Sequence, residues 1–269
     1  MNAKIVTVVG AGIIGEAVIR TLIKSGYKGS EISIIEKRQD RVIELQKAYG
    51  VAQGGIEKCQ TFFLTVKPQD FDGLIEELKS SLKKESLVIS LMAGVKIQKI
   101  EKKCSPDCRV IRVMTNTPIL AGEGMSVVSL SKSASKEDAD WVCGVFSKQG
   151  RVLLLDEEYM DFVTAISGSG PAYFFAFAEA LTKAAIKLGL PSTDALNLVR
   201  QTFLGSARLM ADRDKDFSFL KGEVTSRGGT TEAALAVFDS MNLEVLVEEA
   251  VNAATAKSIQ LSNLSSNID

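Results

Sequence analysis

The sequence predicts an α/β protein in two parts: an N-terminal domain with a mostly parallel sheet covered by helices, then a domain made of helices alone. Three observations carry this. Short apolar runs alternate with helical patterns through the first part of the chain, and those runs are apolar on both faces, as parallel strands must be. The strand signal stops near Tyr159. The long helix that follows is apolar almost all round.

In order, Ile5–Val9 reads as a strand and Gly12–Ser25 as a helix. Ile32–Ile35 is a second strand, Arg41–Ala48 a second helix, Thr61–Val66 a strand, Phe71–Leu82 a helix and Leu87–Leu91 a strand. Arg109–Met114 and Met125–Leu130 read as further strands, and Lys136–Lys148 as a helix. Beyond a boundary at 156/157, Pro171–Leu188 is a helix with Pro in its first turn and Gly189 at its end. A helix from Pro191 to about Arg213 follows, then Phe217–Val224, Thr230–Asp239 and Leu243–Gln260. Ser262–Asp269 reads as a frayed polar tail. The domains are therefore 1–156 and 157–269. Ala172, Phe174, Phe175, Ala176, Phe177, Ala178, Ala180 and Leu181 leave the long helix almost no polar face, which favours burial in a subunit interface and a homo-oligomer.

Composition excludes several functions. The chain has 269 residues, with 32 Lys+Arg against 33 Asp+Glu and a net charge of −1, which argues against nucleic acid or an anionic membrane as the partner. It has no histidine, so Ser-His-Asp or Cys-His hydrolysis, imidazole acid–base chemistry and His-rich zinc sites are excluded. Of the four cysteines, Cys104-Ser-Pro-Asp-Cys108 lacks two further well-spaced ligands, so no metal is expected and the thiols read as reduced. The N-terminus lacks the pattern of a secretory signal, and no apolar stretch reaches the ~18 residues that a membrane span needs. A cytoplasmic location is expected.

Gly10-Ala11-Gly12-Ile13-Ile14-Gly15 follows the first strand and opens the first helix, the context in which a GxGxxG turn binds a dinucleotide. Gly10 makes the turn, Gly12 admits a pyrophosphate to the backbone, and Gly15 lets the helix pack on the sheet. Ala11, Ile13 and Ile14 complete the turn, and the helix N-terminus offers unpaired N–H groups to the diphosphate. The N-terminal domain is thus of the Rossmann type. Glu36, about 20 residues beyond Gly15, suits the 2′-hydroxyl of NADH, whereas Lys37 and Arg38 suit the 2′-phosphate of NADPH; the balance goes to NADPH, with both accepted.

Val224-Thr-Ser-Arg-Gly-Gly-Thr-Thr-Glu-Ala-Ala234 places Ser226, Gly228, Gly229, Thr230 and Thr231 at the start of an apolar helix. One hydroxyl would serve as a cap; this many, with a Gly pair, make a carboxylate receptor. Ser167-Gly-Ser-Gly-Pro-Ala-Tyr173 is a second such turn, read equally well as a domain hinge.

Over nearly its whole length the sequence resembles pyrroline-5-carboxylate reductases. The landmarks are Gly10–Gly15, Thr65-Val-Lys-Pro-Gln69, Ala93-Gly94-Val95, Val113-Met-Thr-Asn-Thr-Pro118, Asp161–Tyr173 and Thr225–Ala234. Arg227 departs from the proline usual in that family, and Thr115 also departs from the proline common in bacterial members. The resemblance implies a C-terminal helical dimerisation domain and NAD(P)H-dependent reduction of L-1-pyrroline-5-carboxylate to L-proline, the last step of proline synthesis. It implies that Val66, Lys67 and Pro68 line the cofactor ribose together with Met92 and Ala93. It places Thr231 at the ring nitrogen, as proton donor or orienter, and Glu157 near the substrate, where its charge would favour the iminium; Glu157 reads equally as a solvated loop carboxylate. Lys67 reads as a phosphate partner or a structural lysine, and Asn116 as an orienter of the nicotinamide amide or a turn former. A β-hydroxyacid dehydrogenase would need a lysine early in the helix after Gly170, where none stands before Lys183. A reductase of another cyclic imine and a non-catalytic NAD(P) sensor stay as alternatives.

Overall fold

The computed structural model describes residues 5–54, 59–79, 81–83, 85–104, 108–211 and 215–264. They form two compact units, Met1–Ser169 with Ala254–Asp269, and Gly170–Ala253.

The first unit is built on an eight-stranded sheet in the order β3-β2-β1-β4-β5-β6-β7-β8. The strands are β1 Val6–Val9, β2 Ile32–Ile35, β3 Ala52–Gln53, β4 Thr61–Leu64, β5 Leu87–Ser90, β6 Arg109–Met114, β7 Gly124–Leu130 and β8 Gly150–Leu154. β3 through β6 pair in parallel, β7 runs antiparallel to β6, and β8 runs parallel to β7. The order reverses between β1 and β4, which creates a crevice at the carboxyl ends of those strands.

Alternate strand residues enter opposite layers, as a pleated backbone requires. Val8, Phe63 and Ile89 pack with α1 (Ile13–Lys24), α2 (Gln39–Tyr49) and α5 (Lys136–Phe146) on one face. Val9, Phe62, Leu64 and Val88 pack with α3 (Phe71–Leu78) and α4 (Ile97–Lys103) on the other. Phe62 and Phe63 are wholly buried, one in each layer, and each contributes about 1.5–3 kcal/mol of burial. Ser135 caps α5, and the Asp138 carboxylate closes that cap while taking Arg109 Nη1 at 2.6 and 2.8 Å.

The structure adds three elements to the sequence expectation. β3 is two exposed residues with no apolar run, α4 is a short lysine-rich turn, and β8 is an edge strand whose Leu153 and Leu154 stay more than half exposed. β3 and β8 lack the periodicity of a buried element, and α4 shows it only in the pair Ile97 and Ile100. The first unit also runs past the expected 156/157 boundary, through α6 (Met160–Val163) and a π turn at Thr164–Gly168, because Met160 and Ala165 are buried in it. The expected frayed tail is instead helical as far as Leu264, with Ser262 1% exposed. Residues 265–269 of that tail, the segment between Cys104 and Cys108, and the expected helical residues 212–213 lie outside the described residues.

The second unit holds α7 (Gly170–Lys187), α8 (Ser192–Met210), α9 (Phe217–Glu223), α10 (Thr230–Ser240) and the first part of α11 (Leu243–Leu264). Phe177 meets Phe203 and Phe238 at centroid distances of 6.1 and 6.0 Å. Phe174 and Phe175 stand 60% and 69% exposed. An apolar surface of this extent on one chain marks an association surface. Among the described residues no helix is long and apolar enough to cross a membrane.

Candidate functional site

The register places the carboxyl ends of β1, β2 and β4 side by side, with Val9 opposite both Ile35 and Leu64. The turn after β1 is fixed there by local sterics. Gly10 adopts φ +85°, and a Cβ on it would lie 2.6 Å from Val66 Cγ1. A Cβ on Gly15 would fall 2.1 Å from the Gly10 carbonyl oxygen. A Cβ on Gly12 would meet nothing within 4 Å. Gly12 is also the N-cap of α1 and supplies no side-chain cap, so the first N–H groups of the helix face that open side. Two glycines therefore allow close packing, while the third leaves open the helix start at which the sequence expects a pyrophosphate.

Sequence reasoning overlooked the groups that hold this turn. The Thr65 hydroxyl, at the end of β4, donates to the Val9 carbonyl at 3.0 Å and to the Gly10 carbonyl. Arg41 Nε donates to the Ala11 carbonyl at 2.9 Å, and its guanidinium pairs with Glu16. A short polar residue after a strand, and an arginine in α2, carry no local signature of these roles.

The end of β2, where the sequence expects the adenosine ribose, centres on Glu36. Its Oε2 accepts the Ala11 N–H at 2.9 Å, while Oε1 accepts the Arg38 N–H at 3.0 Å and Arg38 Nε at 3.3 Å. Burial pushes this carboxyl up, but the N–H groups of Arg38 and Ala11 outweigh it and hold the acid below the usual glutamate range. Lys37 is exposed and the Arg38 side chain is 59% exposed. The cations expected to meet a 2′-phosphate thus stand beside a carboxylate already seated on the glycine-rich turn.

At the same edge, Val66, Lys67 and Pro68 follow β4, and Met92 and Ala93 follow β5. Val66 packs against the core, Lys67 is exposed, and Met92 is 2% exposed. Asn116 follows β6. Its Oδ1 accepts the Met125 N–H at 2.9 Å, and its Nδ2 reaches the Ser167 carbonyl at 3.2 Å and hydroxyl at 3.3 Å. It ties the β6–β7 turn to the π turn.

Glu157 is not the solvated loop acid that its sequence context also allows. Its Oε1 accepts the Ile97 N–H at 2.8 Å, capping α4, and takes Arg112 Nη1 at 3.0 Å. Arg112 is 3% exposed, so the carboxylate balances a buried cation of its own unit.

In the second unit, Ser226, Arg227, Gly228 and Thr230 are exposed and Thr231 is half-buried. Gly228 adopts φ +72°, its N–H donates to Glu232 Oε2 at 2.7 Å, and the Gly229 N–H donates to the Ser226 carbonyl at 3.0 Å. Gly229 caps α10 without a side-chain acceptor. The donors left at this tip are the N–H groups opening α10 and the Ser226, Thr230 and Thr231 hydroxyls, a set suited to a small carboxylate.

Comparison with known proteins decides the family. A curated relative named pyrroline-5-carboxylate reductase, from Synechocystis, is 36% identical over 260 residues, 94% of this chain and 97% of its own length. The chain belongs to the pyrroline-5-carboxylate reductase family. A family model described as pyrroline-5-carboxylate reductase dimerisation matches residues 157–261, and one described as NADP oxidoreductase coenzyme F420-dependent matches 5–94. The solved structure of a pyrroline-5-carboxylate reductase from Coxiella burnetii is 33% identical with a TM-score of 0.89, covering 97% of this chain and 99% of its own. That of Plasmodium falciparum pyrroline carboxylate reductase, with NADP bound, is 28% identical with a TM-score of 0.86, covering 97% and 98%.

Proposed function

We propose that this protein reduces L-1-pyrroline-5-carboxylate to L-proline in the cytoplasm, with NADPH as the favoured cofactor and NADH accepted. The helical unit builds a homodimer or a higher assembly of dimers, because its apolar helices are exposed on one chain. One observation carries the reading: a chain 36% identical to a curated pyrroline-5-carboxylate reductase holds both an open Gly12 cradle and a hydroxyl-rich α10 tip.

The bound nicotinamide cofactor supplies a hydride. Gly12 and the start of α1 hold its diphosphate, Glu36, Lys37 and Arg38 face its adenosine ribose, and Val66–Pro68 with Met92 and Ala93 line the other ribose. Ser226, Thr230, Thr231 and the backbone of Gly228–Thr230 grip the substrate carboxylate. Glu232 already takes the Gly228 N–H, so the grip falls mainly on the hydroxyls and the N–H groups of α10. A new C–H bond forms at the imine carbon, the π pair moves to nitrogen, and that nitrogen keeps the proton of the iminium. Thr231 orients the ring nitrogen or passes it a proton from water; a hydroxyl alone is too weak an acid. Orientation supplies most of the acceleration.

The test is oxidation of NADPH and NADH by five-membered and six-membered cyclic imine acids. Turnover confined to the five-membered acid supports the reading. Tight NADPH binding with no turnover would replace it with a sensor, and preference for the larger ring with another imine reductase.

A further inference from the structure

The C-terminal part of α11 belongs to the sheet unit, and it docks there against the usual logic of an amphipathic helix. Ser258 and Ser262 are 4% and 1% exposed, while Ile259 is 42% exposed. Buried hydroxyls need partners, and both of these find one oxygen: Ser258 Oγ donates to Asp161 Oδ1 at 2.6 Å, and Ser262 Oγ to the same atom at 3.3 Å. These small side chains let the helix backbone come down on the loop between β5 and α4. Gly94 of that loop stands at φ +73°, and a Cβ on it would lie 3.2 Å from both Leu261 Cβ and Ser262 N. The far end of the loop is held by Glu157 on the Ile97 N–H. Met92 and Ala93 lie just before Gly94.

We infer that Asp161, Ser258 and Ser262 are positioning residues for the dinucleotide: they latch the end of α11 onto Gly94 and thereby set where Met92 and Ala93 meet the cofactor. The latch rests on the proposed dinucleotide site and acts through this loop alone. Its loss therefore weakens cofactor binding without altering the α10 tip that holds the imine acid. One carboxylate oxygen serves both hydroxyls, so an amide at position 161 preserves the latch and a methyl group destroys it.

The experiment measures NADPH affinity by fluorescence titration, and KM and kcat for both substrates, in Asp161→Ala, Asp161→Asn and the double variant Ser258→Ala/Ser262→Ala. Losing two hydrogen bonds raises Kd and KM for NADPH about tenfold in Asp161→Ala and in the double variant. Asp161→Asn stays within about twofold of the parent, and KM for the imine at saturating NADPH is unchanged in all three. Unchanged NADPH affinity in the alanine variants, or equal losses in Asp161→Asn and Asp161→Ala, overturns the latch. Hydrogen exchange on the parent protein covers the case in which a variant does not fold. NADPH should slow exchange in residues 91–96 and 258–264 together, and indifference of 258–264 also overturns the inference. The titration and the exchange measurement use NADPH alone, so absence of imine turnover counts against the proposed reaction and leaves those two tests of the latch standing.

Discussion

Replacing Glu157 by alanine removes one carboxylate that two elements share. Arg112 is 3% exposed and Glu157 is 28% exposed, so the pair is buried on one side only. Stranding a fully buried charge costs about 3–5 kcal/mol; the partial exposure of Glu157 brings this to about 2 kcal/mol, and the uncapped Ile97 N–H adds about 1 kcal/mol. The sum, about 3 kcal/mol, corresponds to a fall of about 6–12 °C in Tm for a chain of this size. Calorimetry at fixed protein concentration measures it, because subunit association also contributes to Tm. Adding Arg112→Met to Glu157→Ala should restore part of the loss, since the stranded cation is then gone. Kinetics run in parallel should show kcat within a few-fold of the parent. An unchanged Tm with a large fall in kcat would refute this account and return Glu157 to the imine.

Gly15→Ala forces a Cβ to within 2.1 Å of the Gly10 carbonyl oxygen, so the turn must open; NADPH affinity by titration should fall at least about tenfold. Glu36→Gln removes a carboxylate beside Ala11 and should raise the NADPH-to-NADH ratio of kcat/KM by about tenfold, read by spectrophotometry. Thr231→Ala should lower kcat more than it raises the cofactor KM, whereas Ser226→Ala should chiefly raise KM for the imine; the opposite split would exchange their roles. In acid, burial pushes Glu16 up, but the Tyr49 hydroxyl and Arg41 outweigh it and hold its carboxyl below the usual glutamate range. Its stabilisation is therefore complete above the ordinary glutamate range of the unfolded chain and is lost as pH falls through the lower folded pKa, so Glu16→Gln should flatten the acid limb of a pH–Tm profile.

What the sequence reveals of the fold and site follows the range of the forces involved. The turn at Gly10–Gly15 is legible because its requirements, a positive φ and cleared Cβ positions, are met mostly by neighbours in the chain. The exposed apolar face of α7 is legible because period and composition declare it. The pairing of Glu157 is not legible because its partners Arg112 and Ile97 lie 45 and 60 residues away and leave no local trace. The same holds for Ser262 and Asp161, 101 residues apart, and it explains why the end of a helix reads as a frayed tail. β8 escaped because an edge strand with exposed leucines lacks a two-residue period. Lys37 and Arg38 were visible as charges, but the seat that Glu36 takes on Ala11 was not.

The Thr65 hydroxyl, bonded to the carbonyls of Val9 and Gly10, has a kinetic consequence. Because the strand beside it braces the glycine-rich turn, that turn is preorganised, and capture of the nucleotide proposed to bind there need not await a rearrangement. Association at this end of the crevice is then governed by diffusion and ionic atmosphere, and slow steps in the catalytic cycle must arise elsewhere.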